Sequence, residues 1–436
     1  MKIRSLNNAT TLFQGDICSV IVDPWIVGDL YEDSWSPVVE MADLSFLKSV
    51  DHVIISHIHE DHWDIETIKH FGPDTTFHIP TMKVNNVIER GLIENGYKHV
   101  KFHELGERAN LNDEFSFRFI APLNAFGQEL GRYEEGYETD ATHIDTGIIL
   151  TYRPEDRHHL LLCDNSPYDT EMLADIVEEE IETLWYPFNS YAQDYPLCYE
   201  NFTFDERVSR SAKMNARNLK AVCDAIATVN AKYCFPHSSD FVLNGKRKND
   251  FERFVDQKFM DRKAAADLMR SELKARNLPC EANYCTAADE IDLSDGTLKI
   301  ERGRFETRPV KGRNLVYSDP RGLDLKHALQ EATRNMFARV ERFGIKLGDS
   351  TNDWVLEINS GDFFGRIRYL ERDVIFDDEP HDRKLLRMSI NRDLLEKVLS
   401  RDLHWNNLQI GFHLDWIREP EEFNDDVYKA INFLHV

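Results

Sequence analysis

The chain has 436 residues, 42% of them hydrophobic, and 52 basic against 77 acidic residues give it a formal net charge of −25. At roughly 150 residues per domain this predicts two or three domains with enough apolar content for at least one full core, and the acidic balance excludes a broad footprint for long nucleic acid or an anionic membrane. No apolar run approaches the roughly 18 residues of a membrane span, the first residues lack the apolar stretch of a signal peptide, and the seven cysteines form no C-x-x-C pair, so the expectation is a cytoplasmic protein with reduced, buried thiols and no cysteine-ligated iron–sulfur site.

In chain order, Thr11-Leu12-Phe13 and Cys18-Ser19-Val20-Ile21-Val22 flank Gln14-Gly15-Asp16 and predict a hairpin ending at Asp23-Pro24. Short apolar runs follow at Val53 to Ile55, Thr76 to Ile79, Val100 to Phe102, Phe115 to Ile120, Gly147 to Leu150 and Leu160 to Cys163, with helical patterns between several of them. The succession implies a large sheet with helices outside it. Amphipathic helices are predicted over Ser209 to Asn230 and Asn249 to Asn277, around a short strand at Tyr233 to Pro236, and the first domain closes near residue 285. From 290 to 436 the pattern predicts a smaller α+β domain. Its strands are expected at Thr297 to Phe305, Trp354 to Asn359, Gly365 to Leu370, Lys384 to Ile390 and Leu408 to Trp416, and its helices near Lys326 to Phe343 and Arg392 to Leu399.

Chemistry is concentrated where the strand Val53-Ile54-Ile55 runs into Ser56-His57-Ile58-His59-Glu60-Asp61-His62-Trp63-Asp64, an H-x-H-x-D-H motif at the carboxyl end of a strand. His57 and His59 alternate along an extended loop and can face one metal ion. Asp61 and His62, where the chain bends into a helix, can face a second, and Asp64 suits the cap of that helix. Imidazole with carboxylate suits zinc, iron or manganese, and two such ions about 3.5–4 Å apart can hold a bridging hydroxide near neutral pH. The bland alternative is a solvated loop, which explains poorly why His57, His59, Asp61 and His62 stand so close together.

On this motif and the preceding Asp23-Pro24 strand end, the sequence over roughly Met1 to Tyr284 resembles the metallo-β-lactamase fold superfamily. The resemblance implies an α/β fold, a four-layer αββα sandwich with two metal ions in a cleft at its edge. It also implies three further ligands. Asp164, just past the Leu160 to Cys163 strand, would be the bridging carboxylate, with a helix cap or turn residue as the alternative, and His237, after Tyr233 to Pro236, would be the last histidine. His143 is favoured for the remaining position, with Glu138, Asp140 and Asp145 as competitors. A carboxylate there would make the site richer in oxygen and favour iron, whereas histidine would favour zinc.

The other features are weaker. The aromatic run Trp185 to Tyr191 is read as core rather than cleft, His158-His159 as solvent-facing, Lys246-Arg247-Lys248 as a solvated loop and Asp373 to Asp382 as an exposed turn. Asp61 is the residue expected to be catalytic, and the substrate-binding residues are not legible. Within the superfamily the motif looks like the lactonase-like and N-acyl-phosphatidylethanolamine phospholipase-like branch, which implies hydrolysis of a small ester, lactone, amide or phosphodiester by a metal-bridged hydroxide. The alternative is a diiron oxidase or oxygenase activating O₂, because the stretch from Phe412 to Leu434 is similar to the tail of CMP-N-acetylneuraminate hydroxylases, although the Cys-x-His clusters of a Rieske centre are not in the sequence. Zinc is the expected ion with iron the alternative, and the expected partner is a small-molecule substrate. Capping the cleft, forming a homodimer or binding a partner are roles open to the second domain.

Overall fold

The structure is a computed structural model that describes residues 1–81, 86–121, 145–162, 169–188, 196–238, 240–256, 261–318, 320–343 and 345–436. They divide into two compact units, the first drawn from the described residues of 1–188 and 212–313, the second from those of 196–211 and 314–436.

Among the described residues, the first unit is built on two large sheets, with two further strand pairs beside them. Eight strands are ordered Lys299–Glu301, Glu290–Asp292, Lys2–Ser5, Thr11–Gln14, Ser19–Val22, His52–Ile54, Thr76–Pro80 and Val100–His103. The predicted hairpin is present, with Thr11 opposite Val22 and Gln14 opposite Ser19, and from Ser19–Val22 onward the strands are parallel. The second sheet is ordered Glu281–Ala282, Tyr233–His237, Ile181–Pro187, Arg157–Leu161, Gly147–Tyr152, Phe115–Ile120 and Ala109–Asn110.

Period-2 alternation explains how they pack. Phe13, Val20, Val22 and Ile54 from the first sheet share one buried cluster with Phe117, Phe119, Ile148, Leu150, Trp185 and Phe235 from the second. Their neighbours Leu12, Ile21 and Val53 point the other way and cluster with Ile68, Ile88 and Leu92, the first from the helix Ile65–Ile68 and the others from Asn86–Glu94. On the outside of the second sheet, Arg262–Ala275 lies against Tyr233–His237 and Glu281–Ala282, and its Met269 sulfur meets the Cys223 thiol of the helix Phe204–Val229 at 3.2 Å. The layers are therefore helix, sheet, sheet, helix, as expected.

Several expectations are corrected. Glu290–Asp292 and Lys299–Glu301, assigned by sequence to a domain beginning at 290, extend the first sheet, because Ile291 pairs with Ile3 and buries between the sheets. The predicted helix from Asn249 to Asn277 is two helices, Lys248–Asp256 and Arg262–Ala275, the second capped by the Asp261 carboxylate on Ala264 N. His158 and His159 are buried strand residues rather than solvent-facing ones, and His159 meets the Thr183 hydroxyl at 2.8 Å.

In the second unit five strands are ordered Asp373–Ile375, Phe363–Arg368, Trp354–Ser360, Lys384–Ser389 and Asp415–Glu419, with the central pair parallel. The helix Leu325–Arg342 buries Leu329, Ala332, Met336 and Val340. The stretch expected to be a strand from Leu408 to Trp416 is instead the helix Trp405–Ile410 followed by the strand Asp415–Glu419, the helix being capped by His404 on Asn406 N. No helix among the described residues is long and apolar enough to cross a membrane.

Candidate metal centre

The site begins at the carboxyl ends of the parallel strands Ser19–Val22 and His52–Ile54. Asp23, one residue past the first, takes a left-handed backbone (φ +49°), and its buried carboxylate accepts from Ser56 N at 2.7 Å and Ser56 Oγ at 2.8 Å. The same carboxylate lies 2.8 Å from His62 Nδ1. A carboxylate has no proton to offer, so His62 Nδ1 donates, and in the neutral ring it is Nε2 that carries the lone pair. Ser56 Oγ is likewise 2.9 Å from His57 Nδ1, which leaves the Nε2 edge of that ring for other partners.

That edge meets two more donor atoms. His57 Nε2 is 2.9 Å from His59 Nδ1 and 3.2 Å from Asp145 Oδ1. The three buried residues offer ligand atoms that all lie within 4.8 Å of one another. Two ligands held at about 2.0–2.1 Å on one tetrahedral ion are about 3.3 Å apart, so this spacing fits a shared cation. Burial pulls the His59 imidazole down to about 4, which keeps it neutral and able to donate a lone pair near pH 7. Asp145 arrives from the second sheet, directly before the strand Gly147–Tyr152, and the neighbouring Thr146 hydroxyl donates to Ser56 O at 2.8 Å.

Asp61 and His62 stand beside this group, with Asp61 Oδ2 at 3.5 Å from His62 Nε2. Both Asp61 oxygens are engaged by protein donors, Oδ1 by Tyr31 Oη at 2.5 Å and Oδ2 by Asn8 Nδ2 at 2.7 Å. Burial, then the neighbouring Asp61 charge, holds the Tyr31 phenol well above its ordinary range, so it remains a proton donor. Burial also pushes the Glu60 carboxyl up to about 7 against the opposing bond from Tyr31 N. Left-handed backbone gathers around the site, at Asn8, Asp23, the consecutive Tyr31, Glu32 and Asp33, and Ser238. Such conformations cost about 1–2 kcal/mol each outside glycine and persist only where surrounding bonds hold them.

Asp64 caps the helix Ile65–Ile68 as expected, accepting from Glu66 N and Thr67 N. His237 is buried at the end of its strand, opposite Pro187, with its ring against Trp185. Trp185, Tyr186 and Phe188 are core, in line with the sequence reading. His143, Asp164, Glu138 and Asp140 lie outside the described residues; of the four candidates for the remaining ligand, Asp145 is the one seen beside His57 and His59. Sequence reading missed Tyr31 and Asn8 and gave Asp23 no role beyond ending a hairpin. The available signal was weak, a tolerance of Asn and Asp for left-handed backbone.

Residues 2–131 match the family described as Beta-lactamase superfamily domain, and the layered topology above agrees. The first unit has the metallo-β-lactamase fold. Among sequence relatives, a Mycobacterium tuberculosis protein bearing the name Rieske 2Fe-2S iron-sulfur protein is 29% identical over 110 residues, 24% of this chain and 20% of that protein. A protein of the same name from Mycolicibacterium smegmatis is 33% identical over 73 residues, 16% and 14% of the two chains. The matched segment thus spans no more than a fifth of those relatives. Solved structures similar to the chain include CmlA, a diiron beta-hydroxylase from Streptomyces venezuelae (TM-score 0.42, 13% identity, 69% of this chain and 54% of that one). Igni18, a metallo hydrolase from Ignicoccus hospitalis, is another (TM-score 0.40, 12% identity, 71% and 99%).

Proposed function

We propose that the chain is a metal-dependent hydrolase acting on a small ester, lactone, amide or phosphodiester. The observation that supports this is the buried His57, His59 and Asp145 group: two imidazoles and a carboxylate are a set that catalytic zinc sites use while leaving a position open. When bound, a divalent ion supplies Lewis acidity and an activated water at neutral pH.

The chain's own residues divide the remaining work. Ser56 and Asp23 orient the His57 and His62 rings, and Asp61 with His62 forms a second pair of donors for a second ion. His237 and Asp164 are proposed as additional ligands on the strength of the superfamily motif, with His143 the alternative to Asp145, and zinc and iron are the two candidate ions. The net charge of −25 speaks against long nucleic acid as a substrate.

The test is elemental analysis of protein purified without chelators, followed by turnover on ester, lactone and phosphodiester panels. Two divalent ions per chain and hydrolysis that His57→Ala abolishes are the expected result. Fully metallated protein that turns over nothing in the panels refutes the reading. A second reading, iron-dependent oxidation with O₂, is favoured by Asp145 itself, because two histidines and a carboxylate also suit non-haem iron. Two irons, with a near-ultraviolet band sensitive to reductant and O₂ consumption, would select it.

A further inference from the structure

The Asp61 carboxylate is buried, and each of its oxygens is held by a different segment of the chain. Tyr31 Oη donates to Oδ1 at 2.5 Å, and Asn8 Nδ2 donates to Oδ2 at 2.7 Å and to the Asp61 carbonyl at 3.3 Å. Neither donor sits on regular secondary structure; both are in left-handed turns, with φ +50° at Tyr31 and +46° at Asn8. The Tyr31 turn is fixed by its own backbone N on Glu60 Oε2 at 2.7 Å and by the Tyr31 ring edge-on to Trp35 at 4.9 Å.

Asn8 is anchored still more heavily. Its carbonyl accepts from Arg262 Nη2 at 2.8 Å and from Ser238 N at 3.2 Å, and its Oδ1 accepts from Asp240 N at 3.2 Å. Arg262 in turn pairs with Asp240 at 2.7 Å and donates to Leu6 O at 3.0 Å. One asparagine therefore joins the H-x-H-x-D-H loop to the segment that follows His237. A carboxylate oxygen that accepts one hydrogen bond keeps a second lone pair, and Oδ2 is the oxygen 3.5 Å from His62 Nε2.

We propose that Tyr31 and Asn8 are positioning residues that clamp the Asp61 carboxylate in one orientation, so that its free lone pair and His62 Nε2 present a fixed pair of donors to a second cation. The clamp makes Asp61 a held ligand rather than a mobile base, and ties its place to the His237 segment through Asn8. The inference rests on the metal-dependent reading above but not on hydrolysis.

The experiment uses the full chain with Tyr31→Phe and Asn8→Gly, the glycine chosen because it keeps the left-handed turn accessible. Stoichiometry and affinity for zinc are measured by chelator competition, the ligand-field spectrum is recorded with cobalt(II), and thermal unfolding of the metal-free proteins serves as a folding control. Expected is that wild type holds two ions, that each variant binds one of them at least tenfold more weakly while the other is unchanged, and that the cobalt spectrum of the weakened ion shifts in both. A purely structural role would weaken both ions together with the unfolding midpoint. Wild-type affinities and spectra in both variants overturn the proposal, and so does a wild-type protein that takes up a single ion. Should wild type bind two ions yet hydrolyse nothing, the hydrolase reading fails while the affinity data still decide the clamp.

Discussion

Replacing Asp23 by Asn tests how much of the site is organised from outside the ligand set. The Asp23 carboxylate accepts three hydrogen bonds at 2.7–2.8 Å, from Ser56 N, Ser56 Oγ and His62 Nδ1. An asparagine keeps the left-handed backbone at this position but offers a single acceptor oxygen, and its amide turns two N–H donors toward other donors. With the amide oxygen in place of Oδ1, Ser56 Oγ and His62 Nδ1 both lose the acceptor they share; with the amide turned over, Ser56 N loses its own. A buried donor left without a partner costs about 1–3 kcal/mol, which should appear in the unfolding of the metal-free protein. Losing the carboxylate that orients a ligating imidazole typically costs 10–100-fold in metal affinity or activity, about 1.4–2.7 kcal/mol. The assay is chelator competition for zinc at pH 7 beside urea unfolding of metal-free Asp23→Asn. If the variant unfolds earlier but binds zinc with wild-type affinity, Asp23 only stabilises the turn and the orienting role assigned to it is wrong.

Two further outcomes follow from the geometry. Burial pulls the His159 imidazole down to about 3 from an ordinary 6.5, and His78 down to about 2, so the folded chain binds fewer protons than the unfolded one below pH 6.5. Stability is therefore lost as pH falls through that window, by up to about 1.4 kcal/mol per pH unit per histidine, and urea unfolding of His159→Gln should show a flatter loss between pH 6.5 and 4 than wild type. Asp64→Ala removes the cap on Glu66 N and Thr67 N together with the bond from Thr67 Oγ1. It should lower stability by about 0.5–2 kcal/mol while leaving zinc stoichiometry intact, and a lost ion in that variant would show that Asp64 belongs to the site.

The sequence by itself determined whatever depends on neighbours along the chain. The alternation in Thr11 to Val22 sets a hairpin with Phe13 and Val22 inward, the apolar run at Val53 to Ile55 sets a buried strand, and the six positions from His57 to His62 put metal-type donors where that strand ends. Asp64 was legible as a cap for the same reason. It could not show that Leu408 belongs to a helix and Trp416 to a strand, because a short apolar run fits both until its neighbours are known. Nor could it bring Ile291 back against Ile3, or bury His159 beside Thr183.

At the site, the tertiary structure alone decided that Asp145 meets His57. The bond that delivers it, Thr146 to Ser56, spans 90 residues, and those that hold Asp61 and His62 span 53, 30 and 39. Such partners leave no periodic trace in the sequence. They are single polar residues in turns, and only the closure of two sheets, driven by burying Phe13, Val22, Phe117 and Trp185 together, carries them to the same strand ends.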